Sequence, residues 1–367
     1  MRIRAAVSRD NAPAPVLEDV ELAEPRTGEV LVRIVAAGIC HTDLRAHAGG
    51  VLPTPRPVVL GHEGAGVVES VGPGVTGLKP GDHVVMSGSS CGLCPCCRSN
   101  LPSYCRENMP RNFGGARMDG SSALSQAGQK LHGHFFGQSS FATYAIADAR
   151  GAVRIAPDIP LKIAAPLGCG VITGAGAVLY SFAMRAGQSL VVLGTGGVGL
   201  SAVMAARLVG ASQIIAVDPL APRRALALEL GATAAIDPGS GDVVEAVRAL
   251  LPGGADFVFN TTAQSQVIDA GLAMLGMRGV LGFVSAPPQP WTTKLFPLLA
   301  GGKSLRGILG GDAAPQIAIP LLLDYWRQGR FPLERLITHY SFDDIATAFG
   351  AVHNGSAIKP VLQMEQS

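Results

Sequence analysis

The chain has 367 residues, long for one core, so two domains are expected. Charged residues make up only 15 % and the net charge is +2, which excludes a surface built to grip nucleic acid. A hydrophobic share of 48 % likewise excludes a disordered chain.

The N-terminus carries Arg2, Arg4, Arg9 and Asp10 and lacks the apolar stretch of a signal peptide. Arg2–Ser8 and Val30–Ala36 read as strands, with Pro25 and Gly28 marking a turn between them. Residues 58–71 and 81–86 continue the pattern, broken by Gly72-Pro73-Gly74 and Lys79-Pro80-Gly81. Short strands between glycine turns predict a small barrel-like or sandwich domain. Residues 106–140 are polar and glycine-rich; they end in Phe135 and Phe136, aromatics placed to line a pocket, before a strand at 142–147.

Uncharged runs at 163–184 and 186–206 are long enough to span a bilayer. Their glycines, Pro166 and the lone Arg185 between them fit buried parallel strands and packed helices instead, so no membrane partner is expected. From residue 189 strands and helices alternate. Ser189–Leu193 is a buried strand, Gly194-Thr195-Gly196-Gly197-Val198-Gly199 a Gly-x-Gly-x-x-Gly turn, and residues 200–209 a helix. The next strand, Gln213–Asp218, ends in a carboxylate placed to hold a ribose hydroxyl. Asp218 would repel a 2′-phosphate, so NAD is expected over NADP despite Arg223 and Arg224 close behind. Further helices are predicted at 221–230, 242–251 and 264–275, with strands at 232–236, 255–260, 279–285 and 304–309. This is an α/β, doubly wound parallel sheet. A helix at 315–328, a helix capped by Ser341 and a last strand at 357–362 are expected to rejoin the first domain.

The cysteines carry the chemistry. Cys91, Cys94 and Cys97 recur every three residues and Cys105 closes the set, a spacing that suits a tetrahedral structural zinc. Cys96 breaks the spacing and is a bystander. Cys40, His62 and Cys169 supply two thiolates and an imidazole, a zinc-type set with a fourth position left open. Seven cysteines without a signal favour reduced thiols in the cytoplasm.

Taken together, Gly38-Ile-Cys40-His-Thr-Asp43, Gly61-His-Glu-Gly-Ala-Gly66, the four-cysteine lobe, Leu167-Gly-Cys169-Gly, the glycine loop with Asp218 and Gly355-Ser-Ala-Ile-Lys-Pro360 resemble the zinc-dependent medium-chain alcohol dehydrogenases over essentially the whole chain. Residues 135–144 and 166–176 look most like aryl-alcohol (benzyl alcohol) dehydrogenases. The resemblance implies a Rossmann sheet inserted in a β-rich GroES-like catalytic domain: 1–170 and 309–367 catalytic, with the lobe at 91–105, and 171–308 binding NAD. It implies two zincs per chain, a small alcohol or aldehyde substrate and a homodimer or homotetramer.

Residue by residue, it implies that Cys40, His62 and Cys169 hold the catalytic zinc with Glu63 adjacent, and that Asp43 fixes the His62 tautomer. Thr42 takes the alcohol proton. His41 and Lys359 face the pyrophosphate, and Thr173 and Val284 lie near the nicotinamide. Phe135 and Phe136 line the pocket, which the small Ser87 leaves roomy. Zinc, being redox-inert, acts as a Lewis acid, and hydride passes to the nicotinamide. Where relatives carry a relay histidine this chain has Arg45, which leaves His47 or water for the outer relay. The implied activity is oxidation of a primary aromatic or allylic alcohol. The alternatives are a glutathione-linked formaldehyde dehydrogenase, a general primary-alcohol dehydrogenase or a non-catalytic zinc-thiolate redox protein.

Overall fold

The computed structural model describes residues 1–49 and 52–364, which form two units. The first comprises Met1–Cys169, Ala314–Leu323 and the chain from Leu333 onward; the second comprises Gly170–Ala313 and Asp324–Pro332. The expected boundary at 308 therefore moves to 313. The helix Pro315–Arg327 divides between the units, so the chain re-enters the second unit briefly before its last strands.

In the first unit, Arg2–Ser8 pairs antiparallel with Val16–Leu22, a strand absent from the sequence reading. Its run Leu-Glu-Asp-Val-Glu-Leu buries only Val20 and Leu22, so the apolar signal is thin. The ambiguous stretch 106–140 supplies a helix, Asn108–Phe113, and a hairpin, Leu124–Gln126 with Gln129–Leu131, which extends that sheet. A second sheet centres on Glu29–Gly38, flanked by Glu63–Val71, by Tyr144–Asp148 and by the late strand Lys359–Gln363. Inward-facing Val7, Val32, Leu60, Phe135 and Phe141 fill the core between them.

The second unit is a parallel sheet of six strands, and Ser189–Leu193 lies inside it between Gln213–Val217 and Ala255–Asn260. Both faces are covered, so these strands are continuously apolar. Helix Gly197–Leu208 follows the glycine turn. A methyl group on Gly199 would lie 2.0 Å from the Gly194 carbonyl oxygen, so only glycine lets this helix seat against the strand. Among the described residues no single helix is long and apolar enough to cross a membrane; the two uncharged runs form buried helices and strand.

Candidate active site

Two clusters of soft ligands form within the first unit. In each, the donor atoms all lie within 4.8 Å of one another.

Cys91, Cys94, Cys97 and Cys105 make the first. Backbone amides of Leu93 and Cys94 donate to the Cys91 sulphur at 3.4 and 3.3 Å, and those of Cys91 and Glu107 to the Cys105 sulphur at 3.2 and 3.4 Å. Amide bonds of this kind stabilise thiolates. The amides of Cys97 and Arg106 hold Cys94 down to about 6, whereas burial pushes Cys97 up to about 12. Cys96 stands outside the cluster, as expected.

Cys40, His62, Glu63 and Cys169 make the second. Cys40 ends the run after strand Glu29–Gly38 and opens helix His41–Ala48; His62 and Glu63 begin strand Glu63–Val71. Asp43 joins these elements. Its Oδ2 accepts from the Cys40 amide at 3.0 Å, and its Oδ1 accepts from the Gly61 amide at 3.1 Å and from His62 Nδ1 at 2.9 Å. A carboxylate only accepts, so Nδ1 carries the proton and Nε2 presents its lone pair. That Nε2 is buried without a hydrogen-bond partner.

An orphaned imidazole nitrogen facing two thiols is the mark of a metal position, and soft sulphur with nitrogen suits zinc. A hydrogen bond links the two thiols. The hydrogen bond between them holds Cys40 well below the usual thiol range and Cys169 well above it. Burial pulls the His62 ring down, but Asp43 and the Cys40 thiolate outweigh it and raise it to about 10.

Glu63 is fully buried beside these ligands, and Lys359 Nζ meets both its oxygens at 2.9 Å. This is where the structure places Lys359, the residue expected to face the pyrophosphate. The ammonium, 4 % exposed, bonds Glu63 and the Ile39 carbonyl, the latter at 3.2 Å. Gly38 makes room for the pair, since a methyl group there would lie 2.2 Å from Glu63 Oε2.

Two pocket expectations also change. Phe135 is 0 % exposed and belongs to the core, and Ser87 spends its hydroxyl on the Gly168 carbonyl at 2.8 Å. Phe136 stays half-buried and stacks on the His62 ring, centroids 4.5 Å apart. Thr42 Oγ1 lies 3.8 Å from the Cys40 sulphur, and His41 is exposed one residue earlier.

His47 is committed elsewhere. Its Nε2–H donates to the Ala12 carbonyl at 2.9 Å, so Nδ1 accepts from the Ser8 hydroxyl at 2.5 Å. A residue the sequence reading missed is Gln138. Its Nε2 donates to the His62 and Ser87 carbonyls and its Oε1 accepts from the Gly64 amide, clamping the backbone around the ligand. Its place three residues after Phe135 in the run His134–Phe141 carried no local signal of this role.

In the second unit, Gly194, Asp218 and Val284 all follow strand ends at the carboxyl edge of the parallel sheet, the place where dinucleotides bind. Asp218 accepts from the Thr195 amide at 2.7 Å and the Leu220 amide at 2.9 Å, which ties the second strand to the glycine turn Gly194–Gly199. Thr173 is buried in helix Gly170–Gly176, which packs against helix Gly197–Leu208.

The two metal sets and the glycine turn define a zinc-binding dehydrogenase. Comparison with known proteins agrees. The family described as "Alcohol dehydrogenase GroES-like domain" matches residues 26–158, and "Zinc-binding dehydrogenase" matches residues 197–324. A geraniol dehydrogenase of Castellaniella defragrans is 48 % identical over 363 residues, covering 98 % of this chain and 97 % of that one. Among solved structures, an alcohol dehydrogenase zinc-binding domain protein from Burkholderia ambifaria matches with a TM-score of 0.97 at 46 % identity. Benzyl alcohol dehydrogenase from Acinetobacter calcoaceticus matches with 0.96 at 40 %. Both cover 100 % of each chain. The chain belongs to the zinc-containing medium-chain alcohol dehydrogenases, with a structural four-cysteine site and a catalytic Cys/His/Glu site.

Proposed function

We propose that this zinc alcohol dehydrogenase oxidises primary allylic and aromatic alcohols to aldehydes, reversibly, with NAD. The observation that carries the substrate class is Phe136. Its ring lies on the metal-binding histidine, and Phe113 meets it edge-on at 5.0 Å, so an unsaturated alcohol reaching the metal finds a π surface beside it. The similarity to proteins named for geraniol and benzyl alcohol supports the same class. Zinc bound by Cys40, His62 and Cys169 supplies Lewis acidity that makes the alcohol proton easy to remove. Thr42, next to Cys40, is placed to take that proton, while Asp43 keeps the His62 lone pair aimed inward.

NAD is favoured because Asp218 stands at the second strand end, and because Arg224 is already bonded to the Asp218 and Pro219 carbonyls and to Asp237. The roles of Thr173, Val198, Val284 and His41 toward the cofactor belong to this proposal. So does a homodimer in a reducing, cytoplasmic setting. The edge strand Ser304–Gly307 is exposed, as are Leu295, Phe296 and Leu299, and all seven cysteines are free.

The test is initial rates with NAD and NADP across geraniol, cinnamyl alcohol, benzyl alcohol, ethanol and cyclohexanol. The expected result is kcat/KM at least tenfold higher for the unsaturated alcohols with NAD. A flat or ethanol-led profile would discard the aromatic pocket.

A further inference from the structure

A cleft of about 440 Å³ opens in the first unit, and none of the metal ligands lines it. Four guanidiniums do: Arg26, Arg111, Arg117 and Arg150. The carboxylates in its wall are Glu29, Asp119 and Asp148, and Glu107, 2.6 Å from Arg111, supplies a fourth, so the four guanidiniums meet four carboxylates.

Most of this charge is already matched. Arg117 Nε and Nη2 grip Glu29 at 2.6 and 2.9 Å, and Arg26 Nη1 donates to Asp119 and Ser121 at 3.0 and 2.9 Å. Asp148 lies 3.9 Å from Arg111 and 3.5 Å from Arg150. One donor is left over. Arg117 Nη1 is buried with no hydrogen-bond partner, on a side chain only 8 % exposed. A buried unsatisfied donor costs about 1–3 kcal/mol, more when charged, so an arginine held this way fits a place where an acceptor arrives.

His134 in the same wall adds no charge of its own, because burial and then Arg117 push its imidazole down to about 4. The cleft far exceeds the space of one water, roughly 30 Å³, and falls in the range of small-molecule sites, roughly 300–1,000 Å³.

We propose that this cleft binds a small oxyanion, with Arg117 Nη1 as its buried donor and Arg26, Arg111 and Arg150 as its cationic surround. Phosphate and the carboxylate of an organic acid share the required chemistry, two or more oxygens matched to guanidinium forks. Arg150 also donates to the Cys91 carbonyl at 3.1 Å, so the site adjoins the four-cysteine lobe.

The experiment titrates the zinc-loaded full chain with inorganic phosphate and, separately, with succinate, at constant ionic strength against chloride. Calorimetry and thermal unfolding report binding. The expected result is saturable binding of at least one probe, weakened at least tenfold in Arg117→Met and measurably in Arg26→Gln. The arm that saturates identifies the source of the oxyanion. Arg26 is half-exposed, so its variant decides the matter if Arg117→Met does not fold; Arg117→Met with Glu29→Gln removes both charges of the buried pair and gives a second route. Absence of saturable binding by either probe, or binding unchanged in the folded variants, overturns the proposal.

Discussion

Replacing Asp43 by asparagine tests how the catalytic metal is held. Asp43 is fully buried and accepts three hydrogen bonds, from Cys40 N, Gly61 N and His62 Nδ1. Asparagine keeps one acceptor oxygen and brings an amide NH₂, which must then face a donor, either His62 Nδ1–H and Gly61 N–H or the Cys40 amide. The first arrangement releases the imidazole; the second unties the start of helix His41–Ala48 from the ligand Cys40. Loss of such an outer partner typically weakens metal binding about 10- to 100-fold, or roughly 1.4–2.8 kcal/mol. The assay is dialysis against graded chelator with zinc counted per chain. The four-cysteine site shares no residue with Asp43 and serves as an internal reference. One zinc should leave at about 10–100-fold lower chelator strength while the other stays. Release within twofold of the parent, or both zincs leaving together, would refute the reasoning.

Three other outcomes are expected. Lys359→Met removes the ammonium that meets both oxygens of the buried Glu63 carboxylate and should cost about 3–5 kcal/mol in urea unfolding, with much of it recovered on adding Glu63→Gln. His134 is held neutral by burial, at about 4, against 6.5 when free, so its contribution is full above pH 6.5 and is lost as pH falls toward 4. The difference in stability between the parent and His134→Asn should therefore shrink by about 3 kcal/mol across that window, and a flat difference would show the imidazole to be solvated. Because both His47 nitrogens are occupied by Ser8 and Ala12, His47→Gln should lower kcat much less than Thr42→Ala; equal losses would return His47 to the proton path.

The parallel strands Ser189–Leu193 and Ala255–Asn260 were readable to the residue, because strands buried on both faces are apolar throughout and end at glycine or asparagine. The metal ligands were readable because thiolate and imidazole have few other reasons to cluster. Strand Val16–Leu22 was not, since its charged residues face solvent and its partner, not its own pattern, defines it. Gln138 acts on Gly64, 74 residues away, and Lys359 on Glu63, 296 residues away; no local window contains such pairings. The expected pocket role of Phe135 failed for a related reason. Of two adjacent aromatics, only folding decides which is swallowed by the core.

The distance between Lys359 and Glu63 also has a meaning in time. At about 5–20 residues per second of synthesis, roughly 15–60 s separate the emergence of the glutamate from that of its lysine. The strand that carries Lys359 also closes the sheet against Gly38, beside Cys40. Through that interval Cys40, His62 and Glu63 have been synthesised but Lys359 has not. The four-cysteine lobe, whose ligands span Cys91 to Cys105, emerges within about 3 s. One metal site is a local product of translation, and the other is the last part of the catalytic unit to be finished.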